Sequence, residues 1–212
     1  VFTLHDLTHR LYPQTQTTLN QLYLTLMIGR FLHAASAIIA VSESTRRDAI
    51  HFYDLDPVKI RAIPLGVHAR FRPAGSSEIL AIRKTYRLPE LFLLYVGTIE
   101  PRKNLNVILE AIQGYDSLRL VVAGKQGWLA QEFYRRIKDY GLQERVTLLG
   151  TIPEEDLPAL YSAARAFVFP SLYEGFGLPP LEAMACGAPV ICSNTSSLPE
   201  VVDDAGILIP PT

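Results

Sequence analysis

The sequence predicts an α/β protein built on parallel sheets, with a regular doubly wound unit from about residue 91 onward. Three observations lead there. Short, continuously apolar β-type runs recur along the chain, amphipathic helical patterns lie between them, and one aperiodic, turn-rich stretch around residues 66–76 separates two such patterns. Strands that are apolar throughout, rather than alternating, belong to sheets covered on both faces.

The elements follow in order. "VFTL" at 1–4 is the first strand, followed by a helix over about 16–34, the strand "AIIAV" at 37–41, a helix over 43–53 and the strand "IRAIP" at 60–64. Past the boundary come a helix over 77–86, the strand "LFLLYVGT" at 91–98, a helix over 104–113 and the strand "RLVVA" at 119–123. A helix over 129–140 leads to "VTLL" at 146–149. The next helix, 154–164, carries Glu154, Glu155 and Asp156 in its first turn, where acids suit the helix dipole. "AFVFP" at 166–170 is a strand, and a helix over 179–186 opens on prolines, which fit a first turn. "PVIC" at 189–192 precedes a helix over 198–203, for which Ser197 and Glu200 form an expected capping box; "ILI" at 207–209 ends the series.

Composition narrows the function. The 212 residues are 49% hydrophobic and 19% charged, a globular balance, and the net charge of -1 provides no global field to recruit nucleic acid. The two cysteines, Cys186 and Cys192, have no second Cys or His pair at zinc-like spacing and read as buried free thiols in a reducing compartment. The longest apolar run, 31–41, is broken by His33 and Ser36 and is too short to span a bilayer, so the expected location is cytoplasmic.

In open α/β sheets ligands sit beyond the carboxyl ends of the strands. The loops there are "HDLTH" (5–9), "GTIEPRKN" (97–104), "GKQGW" (124–128), "GTIPEED" (150–156), "SLYEGFGLPP" (171–180) and "SNTSSLPE" (193–200). Glycines such as Gly97 and Gly124 let backbone approach a ligand, but neither a dinucleotide fingerprint nor a P-loop is present. Arg102 and Lys103 stand side by side before a helix, where cations oppose the dipole and an anion would be welcome. Gly175 and Gly177 clear the turn ahead of a second helix start, whose free N–H groups also suit an anion. Glu174 and Glu182 then read as acceptors for vicinal hydroxyls. His9 reads as a surface or loop histidine, and Trp128 is open to reading as a packing anchor.

Glu174 and Glu182 are separated by seven residues, and this E-x7-E signature resembles that of the retaining group 1, or family 4, glycosyltransferases of the GT-B fold. The resemblance runs in order through "TLHDL", "AVSESTRRD", "IPLGV", "LLYVGTIEPRKN", "VVAGKQGW" and the whole segment from "VTLLG" to "SSLPEV". It implies two Rossmann-like parallel-sheet domains, a partial acceptor-side one at 1–68 and a nucleotide-sugar-binding one at 69–212. The N-terminal one is incomplete and the C-terminal one lacks its final helices. It implies that Glu182 takes the ribose hydroxyls and Glu174 the sugar hydroxyls. Backbone around Phe176, Gly177 and Leu178 meets sugar and diphosphate, Arg102 and Lys103 neutralise the diphosphate, and His5 lies near the transferred sugar. Gly97, Thr98, Gly124, Lys125 and Gly175 complete the donor site; at Thr98 many relatives carry a further arginine. For Trp128 the family's G-K-x-G-W loop implies the alternative reading, a nucleotide neighbour. The implied reaction is metal-independent, retaining transfer from a nucleotide-diphosphate sugar to a glycan or lipid-linked acceptor. No cofactor is implied, and "GTIEPRKN" resembles mannosyltransferases that use GDP-mannose. Peripheral membrane contact and a complementing N-terminal segment or homo-oligomer are the further expected partners. A non-catalytic nucleotide-sugar-binding module and a GT-B-like epimerase or hydrolase stand as alternatives, while a glycosidase would leave Arg102 and Lys103 unexplained.

Overall fold

The computed structural model of the protein describes residues 1–15 and 18–211. Two parallel sheets organise it. The first has the order β1-β2-β3, made of β1 (Phe2–Leu4), β2 (Ile38–Ala40) and β3 (Ile60–Ala62). Its helices are α1 (Thr8–Leu11), α2 (Thr18–Ala34) and α3 (Glu43–Tyr53). α4 (Ser76–Tyr86) follows the connecting stretch. The second sheet contains β4 (Leu93–Val96), β5 (Leu120–Ala123), β6 (Val146–Gly150), β7 (Ala166–Phe169), β8 (Val190–Ser193) and β9 (Ile207–Ile209). Between these strands run α5 (Leu105–Gln113), α6 (Gln131–Asp139), α7 (Leu157–Ala163), α8 (Leu178–Ala185) and α9 (Leu198–Val202).

The strand order of the second sheet, β6-β5-β4-β7-β8-β9, reverses at β4. The chain winds outward through β5 and β6, then crosses to β7 on the other side of β4. Such a switch point opens a crevice at the carboxyl ends of the two central strands. The loops after β4 and β7 therefore face each other, which is what brings residues 97–104 and 170–177 together.

Every expected strand forms; half of the ends are trimmed by one or two residues, where only the hydrogen-bonded centre of the apolar run pairs, and β6 and β8 each run one residue further than expected. The larger core fills with Leu94, Leu109, Ile112, Leu120, Phe167 and Phe169, all buried; the smaller one gathers Leu4, Leu7, Leu32, Ile38 and Ile60. The first two positions of the expected 16–34 helix lie outside the described residues. From Thr18 on, α2 turns Leu19, Leu22, Tyr23 and Leu26 to solvent, an i, i+3, i+4, i+7 stripe of the kind that marks an interaction face. Both cysteines are buried and free, and no described helix is long and apolar enough to cross a membrane.

Two local expectations are corrected. His9 is not a surface residue: it lies on the short, unanticipated α1, is buried, and its Nε2 stands 2.9 Å from the Tyr53 hydroxyl. Burial pushes its pKa below the ordinary histidine value, although Asp6 pulls the other way. The acids after Pro153 do not fill the first turn of α7. Glu154 pairs with Arg70 at 2.7 Å, and Asp156 accepts a 2.6 Å bond from the Tyr86 hydroxyl, so they tie the entry of α7 to the connecting stretch and to α4.

The carboxyl ends of β4 and β5 pinch together at glycine. Gly97 and Gly124 adopt φ of 148° and 152°, and a Cβ on Gly124 would lie 1.9 Å from the Gly97 carbonyl oxygen. Backbone cannot yield there as a side chain could. Gly124→Ala is expected to lower the unfolding free energy by at least about 2 kcal/mol, read from the denaturant midpoint; an unchanged midpoint would refute the close approach.

Candidate active site

After β4 the chain makes a single 3-10 turn, Pro101–Lys103, which ends on Asn104 in the left-handed conformation before α5 begins. Arg102 and Lys103 thus precede the helix rather than sit in its first turn, and neither is a free cation. The Glu174 carboxylate, delivered from the loop after β7, receives both: Lys103 Nζ lies 2.6 Å from Oε1 and Arg102 Nη1 3.1 Å from Oε2. Arg102 also meets Glu100 at 2.7 Å and donates to the Tyr173 carbonyl. The counter-charge expected from a ligand is therefore already supplied by the chain.

This cluster is out of water. The four side chains Glu100, Arg102, Lys103 and Glu174 are only 12–14% exposed, so solvent screens them weakly. Burial alone would raise the pKa of Glu174, but Lys103 and Arg102 outweigh it and hold the carboxyl below its ordinary value. Burial likewise opposes the charge on Arg102, while Glu174 and Glu100 keep it firmly protonated. Beneath the cluster, the Phe169 ring lies 5.0 Å from Lys103 Nζ and stacks on Tyr95, whose hydroxyl donates to the Thr98 carbonyl at 3.1 Å.

The loop carrying Glu174 is held at both ends. Its N–H donates to Ser196 Oγ at 2.9 Å, and Ser197 Oγ donates to the carbonyls of Glu174 and Phe176. The expected capping box at Ser197 and Glu200 does not form: Ser197 makes no cap bond within its own helix. Gly175 is a glycine for a reason other than ligand approach. A Cβ there would stand 1.8 Å from the His5 carbonyl oxygen, so the turn is pressed against the end of β1. Thr45 Oγ1 donates to the Gly175 carbonyl at 3.0 Å from the same side. The His5 side chain itself is exposed.

Gly177, at φ 127°, precedes α8, whose first three residues are Leu178, Pro179 and Pro180. The prolines carry no N–H, so Leu178 is the only one of the three that offers a backbone donor. The anion-binding capacity of this helix start is narrower than the glycine-proline pattern implies. Glu182, one turn on, is held by the Tyr161 hydroxyl at 2.9 Å. Its burial raises the pKa, an effect that the Tyr161 hydrogen bond partly offsets.

Four of the expected donor residues share one open cavity of about 360 Å³: Gly97, Thr98, Gly124 and Lys125. Thr151 and Ile152, from the loop after β6, complete its wall and were not among the expected residues. Glu182 does not line this cavity, and Trp128 is 59% exposed, which removes it as a packing anchor. Tyr161 and Ser196 were also missed; each acts through a residue far away in sequence, which no local pattern signals. Among the described residues no three His, Cys, Asp or Glu side chains gather as a metal set.

Comparison with known proteins places this arrangement. The sequence model described as "Glycosyl transferases group 1" matches residues 79–212, and that of "Glycosyltransferase Family 4" matches residues 1–71. The chain is 37% identical to O-antigen chain mannosyltransferase B of Escherichia coli, covering 100% of this chain and 57% of that protein. Among solved structures it is similar to sucrose-phosphate synthase from Thermosynechococcus elongatus, with a TM-score of 0.82 at 28% identity over 99% of this chain and 54% of the other. HepE of Anabaena, solved in complex with UDP and glucose, gives a TM-score of 0.83 at 23% identity over 99% of this chain and 57% of the other. The chain thus spans a little over half the length of each of these proteins.

The ion cluster sets a pH dependence. A carboxyl whose folded pKa is depressed contributes stability above its unfolded value, near 4.5, and loses it as the pH falls through the folded value. Glu174→Gln, which takes the carboxylate from buried Lys103 and leaves Arg102 with Glu100 alone, is expected to cost roughly 3–5 kcal/mol at neutral pH. That deficit should shrink progressively below pH 4.5. Denaturant melts across pH check it; a deficit that stays constant with pH would contradict the pairing.

Proposed function

The chain belongs to the group 1, family 4 glycosyltransferases with the GT-B fold, and from that premise we propose that it transfers a sugar from a nucleotide-diphosphate sugar to a glycan or lipid-linked acceptor. The observation that carries the reading is the buried meeting of Lys103 and Arg102 with Glu174 at the switch-point crevice. Breaking an anomeric bond leaves negative charge on the diphosphate and positive charge on the ring. A cation brought beside the first and a carboxylate beside the second, both in place before the bond breaks, stabilise that separation.

In this reading the nucleotide lies along the cavity edged by Gly97, Thr98, Gly124 and Lys125, and Glu182 accepts from the ribose hydroxyls. Tyr161 fixes one oxygen of that carboxylate and leaves the other for the diol. Phe176, Gly177 and Leu178 present backbone to the sugar and diphosphate, and His5 stands at the junction from which the sugar is handed on. The acceptor proton passes to the departing phosphate on the same face, so configuration is retained and the protein's own cations do the neutralising. Mannose is the favoured sugar, carried as GDP-mannose, on the strength of the resemblance to an O-antigen chain mannosyltransferase.

Calorimetry with GDP and UDP, and chromatography of GDP-mannose with candidate acceptors, test the proposal. Lys103→Ala is expected to weaken nucleoside-diphosphate binding roughly 10- to 100-fold, the worth of one charge-assisted bond. Glu182→Gln should weaken it through the ribose. Unchanged affinity in both variants would remove the site assignment, and consumption of donor without any acceptor would favour hydrolysis over transfer.

A further inference from the structure

We infer that Glu200 is a positioning residue that fixes the three-stranded half against the loop carrying Glu174, by capping a helix of that half from across the molecule. A helix leaves its first N–H groups without intrahelical partners. In α3, Ser42 is the N-cap and its Oγ accepts from Thr45 N–H at 2.9 Å, which leaves Glu43 and Ser44 to be satisfied. Glu200 does so with both oxygens: Oε2 accepts from Glu43 N–H at 2.9 Å and Oε1 from Ser44 N–H at 3.0 Å. The carboxylate also stands at the positive end of the α3 dipole.

What α3 does next makes this cap more than local. From its first two turns, Thr45 holds the Gly175 carbonyl and Asp48 accepts a 3.1 Å bond from the Tyr173 hydroxyl. Both residues they hold flank Glu174. The α9 segment thus grips the Glu174 loop twice, directly through Ser197 and indirectly through Glu200 and α3. The pattern S-x-x-E, which normally closes on itself, is here divided between two long-range tasks. The catalytic consequence rests on the transfer reading of the site; the cap itself does not.

Amide hydrogen exchange in the full chain, resolved by residue, tests the inference. Glu200→Gln and Glu200→Ala should both speed exchange at the Glu43 and Ser44 amides, the latter by roughly tenfold. Core amides of β5 should be unaffected. A second variant, Glu43→Pro, removes one of the two donors at a position that tolerates proline. The stability losses of Glu43→Pro and Glu200→Ala should then combine to less than their sum. Unchanged exchange at Glu43 and Ser44 in Glu200→Ala, or strict additivity of the pair, would overturn the cap. The positioning role further requires that Glu200→Gln lower the transfer rate while calorimetric affinity for GDP or UDP stays at wild type, and that Glu200→Asp recover part of the rate. A fall in affinity equal to the fall in rate would overturn that role. If wild type binds neither nucleotide, the reading of the site fails while the exchange result still decides the cap.

Discussion

The arrangement depends on one buried carboxylate. Glu174 sits between Arg102 and Lys103, 71 residues from the latter along the chain and carried by a different strand-end loop. Removing Glu174 would leave the Lys103 charge without a carboxylate in a poorly solvated place, at a cost of roughly 3–5 kcal/mol. The surrounding geometry follows from holding that contact. The left-handed Asn104 ends the turn that aims the two cations, and the Arg102 carbonyl accepts from Leu172 N–H at 2.9 Å to bind the two loops together. The stacked Tyr95 and Phe169 rings floor the site.

The alternation of strands and helices was legible because most strands are short apolar runs, β2, β4, β5, β7 and β9 without a single polar residue, a signal carried within three or four residues. Helix starts were less so, since they depend on partners that spacing does not reveal. Ser197 and Glu200 have the local signature of a capping box, yet each finds a stronger partner elsewhere: the Glu174 and Phe176 carbonyls for one, the α3 amides for the other. The four residues of α1 are too few to show a period, so the sequence carries no sign that His9 lies inside, where its ring is bonded to Tyr53.

The site was legible as residue types and not as pairings. The prominence of Arg102 and Lys103 could be read from their position ahead of a helix, but their resting partner could not. Gly175 illustrates the same gap. A glycine in an anion-binding turn suggests room for a ligand, whereas here the room is taken by the His5 carbonyl, so the residue serves the contact between the two sheets. Gly124 makes room for the Gly97 backbone in the same way, and Gly97 for the Tyr95 hydroxyl, while both still edge the cavity. Close approach of backbone to backbone and of backbone to ligand leave the same mark in a sequence.

On the proposed reading, the resting pairing must change when a donor arrives. Glu100 and Glu174 together balance Arg102 and Lys103, so the free cluster is neutral and has no spare charge for an anion. A diphosphate set beside an unmoved Glu174 would place like charges close together where the dielectric is low. The exchange that avoids this is dictated by the two cations. Arg102 is fixed by Glu100 and the Tyr173 carbonyl and stays on Oε2. Lys103, a compact charge on a flexible stem, can leave Oε1 for the phosphate. Oε1 is then free to meet the sugar hydroxyls, on the side where positive charge develops as the bond breaks. Glu174 thus holds both cations in place in the resting protein, and on this reading the donor takes over one of them.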